Sequence, residues 1–152
     1  MMNRILVVTS ISLLILSMLC FGGEKKIPKS KLPAAVLQTF QQHFPTAVIK
    51  NQTVETTDGK SIYEIESTDS SRSRDVTFQA DGTIVEVEQS LSENELPQQV
   101  RDSLRAKYPN GIIQRAESSA RESHVEYEIA LKNGSKKFTV IVNSAGKIFK
   151  VK

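Results

Sequence analysis

The chain of 152 residues holds one cysteine, no tryptophan and two histidines. Each scarcity excludes a class of function. Cys20 is alone and lies inside the N-terminal apolar stretch. The remainder therefore has neither a disulfide nor a thiolate nucleophile, and its stability must come from packing. His43 and His124 fall in unrelated contexts, the last turn of an expected helix and the start of an expected strand. A cation at a helix C-terminus is a sufficient reason for the first. Gly-rich phosphate loops, a Gly-x-Ser-x-Gly elbow and a His-Glu-x-x-His pair are all missing, and with them the usual signatures of phosphoryl transfer, acyl transfer and zinc hydrolysis. Calcium-loop spacing is missing as well. The expectation is a protein that is not an enzyme, with no catalytic residues, no metal and no cofactor.

Long apolar runs are also scarce. The one that exists runs from Ile5 to Leu19 behind Arg4, is interrupted by Thr9, Ser10, Ser12 and Ser17, and meets small residues at Gly22 and Gly23. A spanning helix needs about 20 apolar residues, so the run reads as a cleaved signal peptide over 1–22. The expected location is periplasmic or secreted. Lipid attachment at Cys20 is the alternative and the one route to a membrane; Leu19 is bulky where such a signal wants a small side chain. Residues 23–31, with Lys25, Lys26, Lys29 and Lys31 around Pro28, read as a linker.

What is present in abundance is repetition. Shifting the sequence by 64 positions aligns residues 32–88 with 96–152 without a gap, and 13 of 57 pairs are identical. The matches fall on apolar and turn positions while polar positions diverge, so they mark shared structure. Leu32-Pro33 meets Leu96-Pro97, Phe44-Pro45 meets Tyr108-Pro109, Tyr63-Glu64-Ile65 meets Tyr127-Glu128-Ile129, and Gly82 meets Gly146. In each copy apolar residues first recur at helical spacing (Val36, Leu37, Phe40, Phe44; Val100, Leu104, Tyr108) and a proline closes the helix. The period then changes to two, predicting strands near 47–57, 60–67, 74–80 and 83–89, and again near 111–121, 124–131, 136–143 and 146–152, joined by turns such as Asp58-Gly59 and Asn133-Gly134. The expected fold is α+β: a tandem repeat (32–89 and 96–152) of one helix plus a four-stranded antiparallel meander, the helices on one face of the sheets. A unit of about 60 residues is marginal alone, so both copies are expected to form one domain over 32–152.

Alternation assigns Tyr63, Ile65, Val76, Phe78, Val85 and Val87, with Tyr127, Ile129, Val140, Val142, Phe149 and Val151, to the core. The opposite face takes Ile62, Glu64, Glu66, Asp75, Thr77, Ile84, Glu86 and Glu88 in the first copy, and Glu126, Glu128, Ala130, Thr139, Ile141, Ile148, Lys150 and Lys152 in the second. Residues 31–95 carry 5 basic and 11 acidic side chains, residues 96–152 carry 11 and 5. The overall charge of +3 therefore hides two halves of opposite sign and implies no nucleic-acid partner. Carboxylates crowded on one sheet face cost stability, which a binding surface would explain; a solvated face or edge protection are the plain alternatives. The candidate partner-binding residues are Glu64, Glu66, Thr77, Glu86, Glu88, Glu128, Ile141 and Lys150. The expected partner is a protein of the cell envelope; a small-ligand or cation sensor and a self-associating structural protein are the competing readings.

Leu-Pro-x-x-Val, then Phe40, Phe44-Pro45, an Ile strand, Tyr-Glu-Ile and Asp81-Gly82-x-Ile84, carried in both copies, resembles the bacterial PepSY-like, β-lactamase-inhibitor-like family. The resemblance spans nearly all of 32–152. It implies exported bacterial proteins built of tandem helix-plus-sheet units, similar in arrangement to the β-lactamase inhibitor protein, whose sheets form a concave surface that grips its enzyme. It implies no inhibitory residue at any position of this chain.

Overall fold

The computed structural model describes residues 24–152 except Ser71 and Ser123. The expected signal segment, with Cys20 and Gly22, lies outside the described residues. Each half begins with a ten-residue helix, α1 (Ala34–His43) or α2 (Gln98–Lys107). Pro33 and Pro97 stand one residue before it, and their carbonyls accept the first helical bonds, from Leu37 and Arg101; proline suits an entry where no N–H partner exists. The strands are β1 (Lys25–Lys26), β2 (Val48–Thr57), β3 (Lys60–Asp69), β4 (Arg72–Gln79), β5 (Ile84–Leu91), β6 (Gly111–Arg121), β7 (His124–Asn133), β8 (Lys136–Asn143) and β9 (Ile148–Val151).

All nine strands join one antiparallel sheet in chain order. This corrects the expectation of two sheets. Ser90 and Leu91, beyond the expected strand 83–89, continue β5, and with Gln89 they pair with Glu117, Ala116 and Ser118 of β6. Had each meander stood alone, β5 and β6 would both present unpaired edges, a liability that pairing them removes. Part of the expected linker meets the opposite edge of the sheet for the same reason. Lys25 and Lys26 pair with Val54 and Thr53 along the outer side of β2, and the Ile27 N–H donates to Gln52 O at 3.0 Å.

Two apolar clusters lie under the helices on one face. Val36 and Phe40 of α1 pack on Ile65, Val76 and Phe78; Val100 and Leu104 of α2 pack on Ala116, Ile129, Leu131, Val140 and Val142. Four of the alternation assignments, Ile84 with Val85 and Ile148 with Phe149, fail at two β-bulges. Opposite Thr77 and Phe78 stand Glu86 and Ile84, so Val85 is extra; opposite Ile141 and Val142 stand Lys150 and Ile148, so Phe149 is extra. One inserted residue reverses the faces beyond it. Ile84 and Ile148 consequently join the cores, whereas Phe149 is 48% exposed; Val151 keeps its face, opposite buried Val140, but is 52% exposed on the edge strand.

Phe138 packs against Tyr108, ring centroids 5.0 Å apart. The matching position in the first half is Arg74, 7% exposed, its guanidinium 4.3 Å from the centre of the Phe44 ring. Its Nε and Nη1 are buried without a hydrogen-bond partner, which costs free energy that the ring only partly returns. Replacing Arg74 by phenylalanine is expected to stabilise the fold by about 1–2 kcal/mol, read as a higher urea midpoint at unchanged m-value.

Candidate functional site

The face away from the helices carries the chemistry. Cross-strand register places Thr53, Glu64, Thr77 and Glu86 in one row, and Asn51, Glu66, Asp75, Glu88, Ser119 and Glu126 in the next. A third row runs Ser90, Glu117, Glu128, Ile141 and Lys150. Glu66 opposes Asp75, Asp75 opposes Glu88, and Glu117 opposes Glu128. Three like-charged pairs on one sheet face are individually unfavourable.

Some of these carboxylates are compensated. Glu86 accepts from Ser119 Oγ and pairs with Arg121 Nη2 at 2.8 Å. Asn51 Nδ2 donates to Glu66 at 3.0 Å, Arg115 meets Glu117 at 3.0 Å, and Lys152 Nζ meets Glu128 at 3.1 Å. Glu64, Asp75 and Glu88 have no such partner among the described residues. Burial first, and then the surrounding Asp75, Glu24, Glu66 and Glu86, push Glu64 up to about 7. Burial, then Glu86, Asp75, Glu117 and Glu64, push Glu88 up to about 7. Burial, then Glu66 and Glu117, push Asp75 up to about 6. Burial also raises Glu117, against the pull of Arg115. A pit of about 20 Å³ sits among Ser73, Asp75, Glu88, Ser90 and Glu117, large enough for one water molecule. Among the described residues, no group of three or more His, Cys, Asp or Glu is arranged to hold a metal ion.

Of the residues expected to bind a partner, Glu64, Glu66, Thr77, Glu86 and Glu88 stand together on three adjacent strands. Glu128 and Lys150 occupy the same face of the second half. Ile141 lies between them in register but is only 5% exposed. It belongs to the support of the face, a correction to its expected place on the contact surface. Asp75, Glu117, Ser119 and Arg121 complete the cluster and were not among the expected site residues. For the last three the missing step was the β5–β6 pairing. The alternation of Glu117, Ser119 and Arg121 with Ala116, Ser118 and Ala120 already marked their face.

A family model described as "Putative beta-lactamase-inhibitor-like, PepSY-like" matches residues 22–74 and 61–150. Among solved structures, a BLIP-like protein from Bacteroides fragilis is 21% identical, with 78% of this chain and 83% of that one covered and a TM-score of 0.59. A protein from Bacteroides eggerthii, described as "putative periplasmic", is 17% identical, covering 79% and 87%, with a TM-score of 0.62. At these identities the likeness is one of fold. No curated protein matches the chain.

Proposed function

The chain belongs to the PepSY-like, β-lactamase-inhibitor-like family, and from that premise we propose that it is an exported, non-enzymatic protein-binding module. Its unit of one helix and four strands is used twice to build a single broad sheet, and it holds its partner on the face the helices leave open. One observation carries this reading: Glu64, Asp75 and Glu88 are adjacent, half-buried and uncompensated. A sequence selected for stability alone would have neutral residues there. A cationic partner surface supplies the missing counter-charges and recovers the cost of crowding. The partner is a protein of the envelope, and inhibition of an envelope or secreted enzyme is the specific form this binding takes.

The exported protein and a variant with Glu64, Glu66, Glu86 and Glu88 changed to lysine are to be compared in capture from an envelope extract. The wild type is expected to retain a defined partner that the variant loses at least tenfold. Equal capture by both removes the open face as the binding surface.

A small-ligand reading has one observation in its favour. A depression of about 500 Å³ at the end of α2 is lined by Glu93, Arg101, Arg105, Tyr108, Ile113 and Leu131, with Arg105 3.7 Å from Glu93, apolar groups beside an exposed ion pair whose arginine an anionic amphiphile would have to win from Glu93. Thermal-shift screening against fatty acids separates the two: a shift abolished by Arg105→Ala and untouched by the four lysines favours the depression.

A further inference from the structure

The open face is not acidic throughout. Next to the Glu64–Thr77–Glu86 row, toward the β2–β3 turn, lies a shallow depression of about 610 Å³ lined by Gly59, Lys60, Ile62, Gln79, Asp81 and Val85. Its two apolar members arrive there by different routes. Ile62 is brought by alternation, opposite Gln79, and is 37% exposed. Val85 is the extra residue of the β5 bulge, and bulges commonly re-aim a side chain beside a functional surface. In the second half the position matching Ile62 is Glu126, held by His124 at 2.7 Å.

Along a strand, residues on one face repeat every two positions, about 7 Å. Moving from Ile62 to Glu64 to Glu66 therefore passes from an apolar hollow to one acidic row and then to another. We infer that this face receives an extended segment of the partner, laid along the strands, with a large apolar side chain in the Ile62–Val85 hollow and lysine or arginine two and four residues away over the Glu64–Glu86 and Glu66–Asp75–Glu88 rows. The inference rests on the proposed use of the open face and adds the chemistry of what lies on it. Charge complementarity selects the cations, and the spacing of the rows sets their interval. Lys60 and Asp81, of opposite charge, both line the hollow and sum to no net charge, so the net field over it comes from the acidic rows.

The probe is an acetylated, amidated heptapeptide, Ser-Leu-Ser-Lys-Ser-Lys-Ser, titrated into ¹⁵N-labelled exported protein and followed by amide chemical shifts. Two control peptides replace the leucine by serine or both lysines by glutamate. Shifts are expected at Ile62, Glu64, Thr77 and Val85, with affinity at least fivefold weaker for the serine peptide and none measurable for the glutamate peptide. Ile62→Ser with Val85→Ser, two surface changes whose folding is checked by Tm, is expected to weaken the leucine peptide fivefold and to leave the serine peptide unchanged. Shifts confined to the helical face, equal binding of the glutamate peptide, no effect of the double serine variant, or no binding up to 5 mM ligand would each overturn the inference. Envelope capture separates the two levels. If the peptide fails while capture still depends on the four glutamates, this inference falls alone; if capture also survives their reversal, the underlying reading falls with it.

Discussion

At pH 8, changing Glu64 and Glu88 together to glutamine is expected to raise the Tm by roughly 5–8 °C, an unusual direction for a change at a candidate functional site. The sign follows from proton linkage. Both carboxyls sit at about 7 in the folded protein and Asp75 at about 6, whereas in the unfolded chain they return to ordinary carboxyl values near 4. The folded state therefore binds these protons more tightly. Its stability from this source is complete below the unfolded values and is lost as pH rises through about 7. The groups are half-exposed, so solvent screening reduces the effect, and a loss of about 2–4 kcal/mol between pH 5 and pH 8 is expected. Wild-type Tm should fall by roughly 10 °C over that interval, and the double glutamine variant should flatten most of the fall. A wild-type Tm that rises from pH 5 to pH 8 would contradict this account of the face.

The largest loss is expected from one methyl group at Gly146. The turn between β8 and β9 lies against α2, and a Cβ on Gly146 would stand 2.5 Å from both the Gln99 carbonyl oxygen and Ser103 Oγ; φ is also +82° there. Backbone strain and overlap with helix backbone act together, and Gly146→Ala is expected to cost about 3–5 kcal/mol. Gly82 repeats the arrangement against α1, with φ +87° and Ala35 O at 2.8 Å from the added Cβ; the looser contact predicts about 2–3 kcal/mol. Gly59 has φ +74° but open space around it, so Gly59→Ala isolates the strain at about 1 kcal/mol. Urea denaturation of the three variants orders them. A Gly146 variant no worse than the Gly59 variant would show that the turn does not bear on the helix as described.

The glycine pair also illustrates what could be read before the fold was known. Gly82 and Gly146 align in the 64-residue register, and so do the carbonyls they approach, at Ala35 and Gln99. Matched residues there report a contact between turn and helix that acts once in each half. The helices, the eight long strands and the core positions from Val36 to Val142 were legible for a similar reason: period and turn chemistry are local. The bulges were not. Ile84 and Val85, like Ile148 and Phe149, are apolar neighbours, so either parity satisfies the pattern, and only the strand alongside decides which one faces the helix. The β5–β6 joint and the small strand Lys25–Lys26 left no local trace, since an edge is recruited by unpaired backbone groups and not by side chains. The acidic face was legible as far as Glu64, Glu66, Thr77, Glu86 and Glu88. Asp75 was already on that face, and its extension through Glu117, Ser119 and Arg121 needed the joint.

Between pH 5.5 and pH 8 the same carboxylates gain charge, so a cationic partner is expected to bind more tightly at the higher pH, where the free protein is less stable. Stability and binding are set in opposition at the same side chains. The direct test is parallel measurement of Tm and envelope capture at pH 8 for the wild type and the Glu64→Gln/Glu88→Gln variant. The account predicts a variant that melts higher and captures at least fivefold less. A variant that melts higher and captures as well as the wild type would show that the crowded carboxylates are not kept for a partner.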